Sequence, residues 1–124
     1  MLLEELTQRI LKASFQVSNE LGSGFLESVY ENTVLIALRD EGLRAAAQVP
    51  LQVPFRGKIV GNFVADVVVE DRLLVELKAV KALSSEHMAQ VLNYLKATKI
   101  EVGLLINFGN PKLAYRRFNN NFDY

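Results

Sequence analysis

Three charged side chains interrupt two apolar runs near the middle of the chain: Asp66 within residues 63–69, and Glu76 and Lys78 within residues 73–81. Two carboxylates held a few ångströms apart repel each other unless a proton or a cation lies between them. Carboxylate, carbonyl and water oxygens together select hard divalent ions such as Mg2+ or Mn2+. A lysine beside such an ion can orient or polarise an attacking water, so the chemistry implied is metal-assisted hydrolysis. A purely structural reading is also open, with Glu76 and Lys78 an exposed pair on a half-solvated strand and Asp66 a charge near a turn.

Whether these groups meet depends on strand register. Side chains alternate along a strand, so Glu76 and Lys78 share a face with Leu74 while Leu73, Val75, Leu77 and Ala79 take the other. Val64, Asp66 and Val68 are expected on one face of the preceding strand. A three-residue loop, 70–72, sets Val69 opposite Leu73 and Asp66 opposite Glu76, whereas a two-residue loop would put the carboxylates on opposite faces. The odd loop is expected, because a lone carboxylate buried on the far side would cost several kcal/mol.

The remaining segments supply the frame. Leu3, Leu6, Ile10, Ala13, Val17 and Leu21 recur at helical spacing, predicting an amphipathic helix over 3–21. Residues 22–24 break it, and a second helix follows with Leu26, Val29, Tyr30, Thr33, Ile36 and Ala37 on its buried side, ended at Gly42. Glu27 has two readings: the third residue of a capping box whose N-cap is Gly24, or a third carboxylate at a helix start. Residues 48–55 alternate with both Pro50 and Pro54 on the polar side, which suits an edge strand. Arg56 and Gly57 form a turn into a long strand, 58–69, with Gly61 as a bend.

After the central hairpin, Ser84 and Ser85 offer an N-cap for a helix to about Thr98, buried through Met88, Val91, Leu92 and Leu95. His87, Gln90 and Tyr94 form a polar stripe that either faces the charged cluster or lines the helix rim. Residues 102–106 form an apolar strand returning parallel, residues 107–111 a loop, residues 113–118 an edge strand, and residues 119–124 a frayed tail.

Composition narrows the classes. The 124 residues suit a single domain, 1–124, with half of them hydrophobic. No cysteine and one histidine exclude disulfide frameworks and thiolate or multi-histidine zinc centres. No leader and no apolar run of about 20 residues suggest a cytoplasmic protein without membrane contact. Fourteen basic residues balance fourteen acidic ones, but the charges are unevenly spread. Residues 1–71 hold 6 Lys/Arg against 10 Asp/Glu and residues 72–124 hold 8 against 4, so one half can face phosphates.

Asp66, nine intervening residues, Glu76, one residue and Lys78 resembles the motif of the PD-(D/E)xK nuclease superfamily. Residues 24–30, GFLESVY, resemble the motif of the GxxExxY proteins, a family assigned to that superfamily. Residues 87–90 followed by Tyr94 are similar to the QxxxY helix of RecB-like members, and residues 103–109, GLLINFG, to this family's returning strand. The likeness spans about residues 5–118. It implies an α/β fold with a restriction-endonuclease-like core: two N-terminal helices, a mixed central sheet built on a β-meander, a crossover helix and a returning strand. It also implies a Mg2+- or Mn2+-dependent nuclease acting on nucleic acid, DNA before RNA, with pairing into a homodimer left open. Carried over by position, Asp66, Glu76, the Leu77 carbonyl and Glu27 would form the metal cluster, Lys78 would serve the attacking water, and Gln90 and Tyr94 would brace the site or touch the nucleic-acid backbone. Ala65 stands where the superfamily's proline would be, and Val64 where a basic residue is common. The alternative is an idle nuclease fold that binds nucleic acid or a protein partner.

Overall fold

The computed structural model describes residues 3–120. Its elements run α1 (Glu4–Leu21), α2 (Glu27–Asp40), β1 (Ala45–Phe55), β2 (Lys58–Val69), β3 (Leu73–Lys78), α3 (Ser85–Thr98), β4 (Val102–Asn107) and β5 (Ala114–Asn119). The strands form one sheet in sequential order, antiparallel throughout except for the parallel β3–β4 pair on either side of α3. The α/β architecture, the odd hairpin loop and the parallel return expected from the sequence are all present.

Each face of the sheet has its own core. Ile10, Ala13 and Val17 of α1 and Tyr30, Val34 and Leu38 of α2 close over Val67, Val69, Val75, Leu77 and Ile106. On the opposite face Val91 and Leu95 of α3 pack on Leu74 and Leu105. Gly103 allows that approach, since a Cβ there would lie 2.8 Å from Val91 Cγ1. The alternation assigned to β3 is therefore correct, and Glu76 and Lys78 lie on the α3 side with Leu74.

Several expectations need correction. α2 begins at Glu27 with Leu26 as its N-cap and no side-chain cap, so there is no capping box on Gly24. Its buried residues are Tyr30, Val34, Leu35 and Leu38, while Leu26 and Ile36 are exposed, because Tyr30 rather than Leu26 sets the rotation of the helix. Leu92 of α3 is also exposed, as Val91 and Leu95 take the inward positions. β1 starts at Ala45, three residues before the predicted boundary, and Asn119 pairs with Val102. Asn120 donates to the Glu101 carbonyl, so the expected frayed tail is ordered to that point, and residues 121–124 lie outside the described range.

One irregularity positions the site. Ala47 and Val67 pack on the α1/α2 side, whereas Val49 and Ala65, two residues away on each strand, pack on the α3 side. Gln48, between Ala47 and Val49, has φ 51°, a left-handed value that rotates the strand. Val64, Asp66 and Val68 therefore do not share a simple face; the faces exchange at Asp66.

Two buried polar anchors hold the loops beneath this point. Tyr30 is fully buried, stacks on Phe108 at 4.7 Å, donates to the Gly22 carbonyl at 2.6 Å and accepts from the Phe25 amide at 3.3 Å. Asn107 accepts from the Val80 and Gly109 amides, both at 3.0 Å, and donates to the Val80 carbonyl at 2.9 Å. A side chain at Gly109 would place Cβ 1.9 Å from the Val80 carbonyl oxygen, so only glycine fits. Asn107→Ala strands three part-buried backbone groups and should lower the unfolding free energy by about 1–3 kcal/mol, and Tyr30→Phe by about 1–3 kcal/mol, in urea titrations. Unchanged midpoints for both variants would show that the anchors are energetically idle.

Candidate active site

The β2–β3 hairpin turns through Glu70 and Asp71, both at positive φ (55° and 57°). The Glu70 amide donates to the Arg44 carbonyl at 2.8 Å, tying the turn to the start of β1. The exposed Arg44 pairs with Glu70 and Asp71 add little beyond this. From the turn the ladder runs Val69 to Leu73, Val68 to Leu74 and Val67 to Val75, and then stops. The next opposed residues are Asp66 and Glu76, as the loop length requires.

Here side chains replace the ladder. The Asp66 amide donates to Glu76 Oε2 at 3.1 Å, and the Leu77 amide donates to Asp66 Oδ2 at 2.8 Å. Each carboxyl group thus caps the opposite strand. Glu76 is 4% exposed. Burial first, and then the Asp66 carboxyl beside it, push the Glu76 pKa up to about 9, against which Lys78 acts only weakly. Without a cation the pair keeps a proton on Glu76.

The other predicted residues stand around this pair. Lys78, two residues beyond Glu76 on the same face, has no salt bridge among the described residues, and its positive charge is felt by both Glu76 and Glu27. Glu27 occupies the first turn of α2 with its side chain at the surface; partial desolvation raises its pKa, opposed by Lys78 and reinforced by Asp66. On α3, Gln90 Nε2 donates to the Tyr94 hydroxyl at 2.7 Å, and the Tyr94 ring stacks on Phe63 at 3.7 Å. Burial, together with Glu76 and Asp66, raises the Tyr94 pKa, which puts the phenol within electrostatic reach of the carboxylates. His87 serves the helix start: Ser84 Oγ accepts from the His87 amide and His87 Nδ1 accepts from the Ser84 amide.

Glu31, Gln48 and Phe63 also belong to this neighbourhood and were not anticipated. Gln48 Nε2 donates to Glu31 Oε1 at 2.7 Å, and Glu31 has a raised pKa, chiefly by desolvation, with Asp66 and Glu27 contributing. Glu31 lies one helical turn after Glu27, which is a usable signal. Nothing in the sequence marks Gln48, whose position follows from its positive φ.

The donor chemistry at the strand fork suits a divalent ion. Below about pH 9, Glu76 ionises beside Asp66 only if a cation takes the place of its proton. Because the Lys78 carbonyl accepts from the Phe108 amide on the β4 side, the adjoining Leu77 peptide groups face β2, the side on which Asp66 takes the Leu77 amide. Two carboxylates and the Leu77 carbonyl could thus serve as ligands. Among the described residues no three His, Cys, Asp or Glu side chains converge as a ligand set, so Glu27 stands apart from the pair.

A raised pKa means that folding favours protonated Glu76, so this contribution is complete below about pH 4.5 and is lost as pH rises through about 9. Metal-free protein should melt at progressively lower temperature across that interval, and Glu76→Gln should flatten the trend. A parent whose melting temperature is constant from pH 5 to 9 would contradict this account of the pair.

The chain matches the family model of the PD-(D/E)XK nuclease superfamily over residues 4–118. Among four matching solved chains is the crystal structure of SSO0001, with a TM-score of 0.62 and 17% identity over 98% of this chain. That likeness concerns the fold, and the present chain spans 61% of the length of that one. No curated protein matches. With the family model covering nearly the whole sequence and the same fold in a solved chain, the protein belongs to the PD-(D/E)XK nuclease superfamily.

Proposed function

We propose that this protein is a divalent-metal-dependent nuclease, using Mg2+ or Mn2+ and acting on DNA in preference to RNA. The observation that carries the reading is the Asp66–Glu76 pair at the strand fork with Lys78 beside it. When bound there, the ion would neutralise charge on the scissile phosphate and lower the pKa of the attacking water. Asp66, Glu76 and the Leu77 carbonyl would hold it. Lys78, as a cation, would orient the water and offset negative charge developing at the phosphate. Glu27, one helix away, would reach the site through water rather than directly. Gln90 fixes the Tyr94 hydroxyl, and the pair would brace the α3 wall against the nucleic-acid backbone.

The finer placement among GxxExxY proteins is supported by what Gly24, Glu27 and Tyr30 do. Gly24 takes φ 111°, Tyr30 anchors the loop from beneath, and Glu27 is left at the mouth of the site. With zero net charge and the excess of basic residues confined to residues 72–124, flexible or single-stranded DNA is the preferred substrate, since less charge must be neutralised per contact. A second reading is a non-catalytic nucleic-acid-binding module, whose affinity would survive EDTA and fall steeply with salt.

A panel of single-stranded, duplex, nicked and branched DNA and RNA, incubated with Mg2+, Mn2+ or EDTA, separates the two. The nuclease reading expects products only with metal, a loss of at least ~100-fold for Lys78→Ala at unchanged melting temperature, and comparable loss for Glu76→Ala. Millimolar Mn2+ should raise the melting temperature of the parent but not that of Asp66→Asn. Products of equal yield from Glu76→Ala, or none from the parent on any substrate, would sink the enzyme.

A further inference from the structure

A chamber of about 440 Å3 opens on the α3 side of the sheet between the segment leaving β3, the first turns of α3 and the start of β5. Its lining includes Lys81, Leu83, Met88, Asn110 and Arg116. Asn110 Nδ2 donates to the Lys81 carbonyl at 2.7 Å, so the segment carrying Lys81 is tied in place. The volume lies within the range of small-ligand pockets, ~300–1,000 Å3.

Sheet register relates this chamber to the candidate active site. Glu76 pairs with Leu105 and Leu105 with Arg116, so Arg116 stands in the same transverse row as the carboxylate pair. Lys78 pairs with Asn107 and Asn107 with Ala114, and both of the latter line the chamber. Two strand spacings separate the rows' ends, ~10 Å. Nucleic acid carries one phosphate per ~3.4 Å of axis on each strand, so a chain lying across this edge would bring a neighbouring phosphate over the chamber.

The charges point the same way. Lys81 and Arg116 are exposed, and neither has a salt bridge to an acidic side chain among the described residues. Two cations and the apolar Leu83 and Met88 lining one chamber suit a ligand with an anionic edge and an apolar body, which is the character of a nucleotide unit.

Resting on the nuclease reading for its direction across the sheet, we propose that the Lys81–Arg116 chamber is an anchoring subsite for the sugar-phosphate backbone of a nucleotide flanking the one at Asp66 and Glu76. It would take no part in bond cleavage; it would hold the strand in register.

The test measures binding of a fluorescein-labelled single-stranded DNA 12-mer by anisotropy in EDTA, over a range of salt, for the parent, Lys81→Gln/Arg116→Gln and Arg56→Gln/Lys58→Gln. The last pair, at the hairpin tip, removes the same charge elsewhere. Losing two phosphate contacts should weaken binding at least ~10-fold and reduce the slope of log affinity against log salt by about 1.4, at ~0.7 per contact on a single strand. The hairpin-tip variant should lose much less. Unchanged affinity and slope for Lys81→Gln/Arg116→Gln, or an equal loss in the hairpin-tip variant, would overturn the subsite. Because no turnover occurs in EDTA, the result stands apart from cleavage: selective loss of binding in a protein that never cleaves would sink the nuclease and keep the subsite.

Discussion

A hairpin that parts at a pair of opposed carboxyl groups is the constraint on which the rest of this structure depends. Backbone ladder bonds join β2 to β3 only as far as Val67 and Val75, and beyond them Asp66 and Glu76 satisfy amides of the opposite strand. The exchange leaves no buried side-chain polar atom without a partner among the described residues. It also forces two acids together in a place where the protein gives them one proton. Carboxyl groups used as ladder substitutes are fixed in position, which is what a metal site or a proton-transfer site needs from its scaffold.

Everything around the fork limits how it can move. Asn107 grips Val80, so β3 leaves the sheet in one direction, and Tyr30 grips Gly22 and Phe25, so α2 starts with Glu27 at the mouth. Phe108, directly after Asn107, stacks on Tyr30 and couples the two anchors. Residues of two separate sequence segments therefore act on one another, while Glu27 keeps its side chain at the surface.

Much of this was legible in the sequence because it depends on period and loop length. Alternation placed Glu76 and Lys78 with Leu74, an odd loop placed Asp66 against Glu76, and the apolar run at 102–106 pointed to the parallel return. What periodicity could not supply was rotation and backbone handedness. α2 turns so that Tyr30 is buried and Leu26 is not, since one aromatic ring with a satisfied hydroxyl outweighs two exposed aliphatic side chains. Gln48 adopts a left-handed conformation that its residue type does not announce, and that single torsion exchanges the faces of the hairpin at Asp66. Lys81 and Arg116 were visible only as part of a basic half, because their common chamber depends on strand order.

The early end of the β2–β3 ladder has a dynamic consequence. Residues 58–65 of β2 pair with β1 alone, so the outer hairpin is a two-stranded arm tied to the body by packing on the α3 side through Val49, Leu51 and Ala65 and by the stack of Phe63 on Tyr94. Two-stranded ribbons are marginal in water, and their opening free energy is small compared with that of a central strand. Amides of the arm should therefore exchange with solvent hydrogen through local opening, while those of Val67 and Val75 exchange only on global unfolding. Asp66 lies at the hinge between the two regimes, so the rigidity of one carboxylate is set by a sheet core and its freedom by a lever.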